Sequence, residues 1–218
     1  MSNTNDSFID EVTEEVRREK LFGLMKRYGW IAVVVIVVLV GGTAWKQWQD
    51  AKIAASAQAV GDSLLDAMAV QDVAARSEAL AALDVPGSAA AVQKMFEAAA
   101  LVEAEDPEQA AAILSEIAGN QAIEPIWRDL ATLKRVLLLG RDLTPEQRIA
   151  ELAPISNPGS PYRVMAREQE ALARYDLGEV DAAIEIFDEI SNDQEASLDL
   201  RLRAVQMKLV LEETRDDA

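Results

Sequence analysis

Apolar positions along this chain obey two different rules. From Trp30 to Trp48 they run almost without interruption, with no charged residue before Lys46. Elsewhere they recur every three or four residues among Ala, Glu, Gln and Arg, the spacing of helices that bury one face. The first rule predicts a helix that is apolar all round. These 19 residues span roughly 28 Å as a helix, close to the hydrocarbon thickness of a bilayer. Tyr28 and Trp30 at one end, and Trp45 and Trp48 at the other, stand where amphipathic rings meet the two headgroup layers. Residues 29–48 therefore read as a transmembrane helix. A cleaved signal peptide is the rival reading, but the basic segment before the run is too long, the run exceeds an ordinary signal core, and Trp45-Lys46-Gln47-Trp48 offers no small-residue cleavage site.

The flanks orient the span. Arg17, Arg18, Lys20, Lys26 and Arg27 precede it and only Lys46 and Lys52 follow closely, so residues 1–28 are expected to form a cytoplasmic tail, with the remainder exported. The helix is expected to continue through Ala51 to Ala69, with a shorter one near Asp72 to Leu83 and a break at Asp84-Val85-Pro86-Gly87, where Ser88 is a candidate N-cap. Residues 49–87 are thus a helical extension and linker. Residues 88–218 are the domain.

Within that domain the second rule acquires a longer period. Pro107–Ile117 resembles Pro145–Ile155 after 38 residues, and Val180–Ile190 after another 35. Each stretch follows a predicted helix, at Ala89 to Glu105, Trp127 to Leu139 and Tyr162 to Leu177. One helix, a turn and a second helix per period predict an all-α fold, an α-solenoid of helix pairs. An ordinary antiparallel bundle is the alternative. In the third unit Ala171, Gly178, Ala183 and Phe187 fall at tetratricopeptide spacings: a small residue on the first helix, the turn glycine, and the Ala-x-x-x-Phe pair on the second. The Trp-x-x-Leu-Gly-x-x-Tyr part is missing. A final helix near Glu195 to Glu213, with Leu198, Leu202, Val205 and Leu209 on one face, is expected to cap the array.

Charge and chemistry narrow the function. Six of the 38 acidic and five of the 21 basic residues lie in the first 45, leaving about −16 on the rest. Nucleic acid is disfavoured as a partner. The chain has no histidine and no cysteine, which removes histidine triads, thiol nucleophiles and His or Cys zinc sites. Phosphate-binding glycine loops are absent too. The acidic groups Glu103, Glu105, Asp106, Glu108 and Glu185, Asp188, Glu189 lack calcium-loop spacing and read as solvated faces. No enzyme and no cofactor are expected. A groove for a peptide or partner helix remains, with Arg128, Arg135, Arg163, Arg167 and Arg174 on the predicted first helices; their alternative role is pairing with carboxylates.

The stretch from Lys26-Arg27-Tyr28-Gly29 through the apolar run to Gly42-x-x-Trp45-x-x-Trp48 is basic, then apolar, then aromatic. With the alanine-rich degenerate tetratricopeptide domain, it resembles the ancillary SecYEG translocon subunit family of bacterial inner-membrane proteins (YfgM-like). That resemblance implies a single-pass inner-membrane protein with a periplasmic domain, associated with the Sec translocon and a membrane-anchored periplasmic chaperone and serving exported clients. It brings no catalytic residue. A structural scaffold for another envelope assembly, in division or outer-membrane biogenesis, is the alternative function, and a regulator acting through residues 1–20 is a third.

Overall fold

The computed structural model describes the backbone of residues 4–216, and side chains at 26, 30, 31, 34, 35 and 37–216. Among these residues the chain forms nine α-helices and no strand. Two units divide it, residues 1–59 and 60–218.

The first unit is the greater part of helix α1, Thr4–Met68. Its described apolar side chains point outward on every side, from Trp30 at 64% exposure through Val38 at 65% to Leu39 at 63%. Trp45 and Trp48 lie 5.4 Å apart between ring centroids, and the Lys52 ammonium sits 3.9 Å over the Trp48 ring. Among the described residues no helix is long and apolar enough to cross a membrane. Positions 29, 32, 33 and 36, inside the expected span, lie outside the described side chains, as does Tyr28. The span rests on the sequence.

The second unit contains the end of α1 from Val60 and helices α2 (Val73–Ala81), α3 (Ala89–Glu103), α4 (Pro107–Gly119), α5 (Pro125–Leu139), α6 (Pro145–Leu152), α7 (Arg163–Asp176), α8 (Val180–Asn192) and α9 (Leu198–Asp216). Local chemistry starts several of them. Asp72 accepts a hydrogen bond from the Ala75 N–H at 2.8 Å, and Asp106 from that of Gln109 at 3.0 Å. Thr144 and Gln147 form a reciprocal capping box. Pro107 and Pro145 follow their caps at the first helical position, where the missing N–H costs nothing. Ser88 stands at the N-cap of α3, but its side chain makes no capping bond.

From α2 to α9 each helix packs on the next, in a repeat-like succession of helix pairs. The core is accordingly a string of clusters shared by successive helices. Leu64, Leu80 and Ala100 join the end of α1 to α2 and α3. Ala98, Leu114 and Ala131 join α3, α4 and α5; Val136, Leu152 and Ala166 join α5, α6 and α7; Ala171, Phe187 and Ala204 join α7, α8 and α9. Residues 72–83, expected in a linker, thus belong to the packed array, with Leu80 fully buried.

Two expectations change. The second helix of the middle unit stops at Leu152 rather than Ile155, because Pro154 cannot donate to the helix. Ile155 still reaches the core from the following turn, at 3% exposure. On α9 the capping stripe is reversed: Leu198, Leu202, Val205 and Leu209 are exposed, whereas Leu200, Ala204, Met207 and Leu211 face α8 and the core. Both sets recur at intervals of four, three and four residues, so periodicity alone could not choose between them.

Candidate protein-binding groove

Two depressions lie side by side along the first helices of the units. One, of about 490 Å³, is bounded by Met95, Ala99 and Val102 of α3 and by Lys134, Leu137 and Leu138 of α5. The other, of about 410 Å³, runs from Leu137 to Met165, Glu168, Gln169 and Leu172 of α7 and to Arg203 and Met207 of α9. Leu137 separates them. It is 53% exposed, with Met165 and Val102 at 41% and 42%, so the strip is apolar and open to water. Charged groups hold its edge. Arg203 of α9 donates to both carboxylate oxygens of Glu168 on α7, at 2.5 and 3.0 Å, which fixes the side of the groove nearest the last helix.

The arginines of the first helices do something else. Arg135 pairs with Glu151, and Arg163 reaches Asp193 at 2.5 Å and Glu195 at 2.7 Å. Arg167 pairs with Glu189 and Glu170, and Arg174 pairs with Glu170 at 3.0 Å and Glu179 at 2.9 Å. Arg128 donates to Gln121. Four of the five are therefore spent on carboxylates, and Arg135 and Arg167 tie one helix to the next.

The third unit shows why. Its positions for the missing Trp, Leu and Tyr of the tetratricopeptide pattern are Arg167, Glu170 and Arg174, and these make one continuous ion network. Charge replaces aromatic packing on that face. The small and aromatic positions retain their roles. Ala171, Ala183 and Phe187 are all fully buried in one cluster, and Gly178 turns the chain with φ at +81°. Lys94–Glu116 in the first unit and Arg167–Glu189 in the third are the same ion pair at repeat-equivalent positions. The middle unit has Thr132 and Pro154 there and uses Arg135–Glu151 instead.

Four of the seven residues in the acidic groups take structural roles. Glu103 pairs with Arg76, Asp106 caps α4, Asp188 pairs with Lys208, and Glu189 with Arg167. Among the described residues no group of three or more acidic side chains is placed to hold a metal ion.

The sequence points to charge on the first helices and not to these groove residues. One signal was available. Val136-Leu137-Leu138-Leu139 puts four consecutive large apolar residues on one helix, and they cannot all face one core. No family model matches the chain, and no curated protein or solved structure matches it either.

Proposed function

We propose that this chain is a membrane-anchored adaptor that holds protein segments along the apolar strip of α3, α5, α7 and α9, and that it serves the Sec translocon and a membrane-anchored periplasmic chaperone acting on exported clients. The observation that carries the binding role is the strip itself, where Val102, Leu137 and Met165 stand exposed beside one another along two adjoining depressions. Such a surface suits an extended segment or an amphipathic helix. The anchor is supported by the 29–48 run and its aromatic ends, and the orientation by the basic residues before it. The translocon assignment is supported by the resemblance of the anchor and repeat pattern to that family. Tethering raises the effective concentration of the domain at the membrane, so weak contacts with passing clients suffice.

Purification of the full chain from membranes in mild detergent tests the reading. Translocon or chaperone subunits should co-elute, and Leu137→Asp should reduce them. Recovery of a division or outer-membrane assembly complex in their place contradicts the translocon role and favours the scaffold.

A further inference from the structure

Helix α9 carries apolar residues on two opposite faces. Leu200, Ala204, Met207 and Leu211 face the core. Leu198, Leu202, Val205 and Leu209 look the other way, at 63%, 53%, 42% and 59% exposure. The end of a helical array ordinarily presents a polar outer face. This one does not. Intervals of four, three and four residues are the seam of a two-helix coiled coil, with Leu202 and Leu209 at one core position of the heptad and Leu198 and Val205 at the other.

The edges of the seam decide the occupant. Arg201, Lys208 and Arg215 follow one another at seven-residue intervals along one edge, and Asp199, Gln206 and Glu213 along the other. Each helix thus has a basic and an acidic border. Two copies side by side in parallel place the basic border of one against the acidic border of the other, Lys208 meeting Glu213. An antiparallel pair sets like against like. Lys208 and Arg215 already reach Asp188 and Asp181 of α8, which holds them beside the seam with donors to spare. Asp199 and Glu213 make no ion pair among the described residues.

We infer that α9 is the interface of a parallel two-fold homodimer, its outer stripe packed against the same stripe of a second copy. The seam covers on the order of 500 Å² per copy, at the low end for specific interfaces. The net charge of −17 also opposes self-association, though ordinary salt screens most of it beyond about 8 Å. Affinity in the micromolar range follows. The helix is already folded on α8, so its backbone needs no ordering on association. Such a dimer leaves the strip of α3, α5 and α7 open.

The absence of native cysteine makes the test direct. The purified full-length chain carrying Leu209→Cys is oxidised at a concentration on the order of tens of micromolar, with Glu108→Cys, at an exposed position on α4, as the collision control. Parallel packing brings the two introduced sulfurs of the Leu209→Cys chains within disulfide reach, so a covalent dimer forms at a rate at least about tenfold above the control. Adding Leu202→Glu, at a position exposed in the protomer, abolishes that dimer and leaves the helical signal unchanged. Cross-linking at the control rate overturns the dimer. A link that forms only when Leu198→Cys and Leu209→Cys chains are mixed shows antiparallel packing and overturns the assignment equally.

Discussion

Glu105 adopts φ of +62° between α3 and α4, in the left-handed region that side chains with a Cβ enter at a cost. It occupies the same place in the first unit that Gly178 occupies in the third. The hydrogen bonds match as well. Glu105 N–H donates to the Val102 carbonyl and Asp106 N–H to that of Leu101, as Gly178 N–H does to Tyr175 and Glu179 N–H to Arg174. Both first helices end in the same Schellman turn. Glu105→Gly should therefore stabilise the domain by about 1 kcal/mol, and Gly178→Ala, whose new Cβ meets nothing within 4 Å, should destabilise it by about as much. Urea titration of the two variants checks the pair. Asp193 gives a second residue-scale prediction. The hydrogen bond from Arg163 holds its carboxyl below the ordinary 3.8. Its folded value being the lower, its stabilisation is fully present above about pH 5 and is lost as pH falls through that folded value. Asp193→Asn should thus unfold more easily at neutral pH, and its deficit against the parent should shrink as the medium is acidified below about pH 4.

Elements are joined by ion pairs where the repeat pattern would have used small residues. Arg148 stands where the other units have Ala110 and Ala183, and it is 8% exposed. Its guanidinium crosses from α6 to Asp176 at the end of α7. Removing Asp176 leaves the nearly buried Arg148 charge unmatched, so Asp176→Asn should cost about 2–3 kcal/mol, whereas replacing both partners, Arg148→Met with Asp176→Leu, should be close to neutral. Thermal unfolding separates them. The helices themselves were readable because caps and prolines mark their starts: Asp106-Pro107 and Thr144-Pro145 open the second helices of two units as the sequence indicates. What was not readable is which face each helix buries. On α9 two stripes of equal periodicity compete, and the choice is made by the neighbouring α8, whose Ile186, Phe187 and Ile190 accept Ala204 and Leu211. For the same reason the sequence does not separate Leu137 from its buried neighbours Leu133 and Val136, although Leu137 stands in the groove.

Across the whole molecule, the proposal joins an anchor to a binding domain and depends on which side of the membrane the domain lies. Protease added to spheroplasts should digest the domain beyond residue 50 and spare the N-terminal tail, since five basic residues precede the apolar run and two follow it closely. Protection of the domain until lysis would reverse the orientation. The most direct test of the adaptor is site-specific photocross-linking from Leu137 in the full chain in intact cells, with Glu185 on the polar side of α8 as the reference position. Adducts with translocon, chaperone or exported chains are expected from Leu137, and few from Glu185. Equal labelling from both positions, or none from Leu137, would contradict the adaptor role.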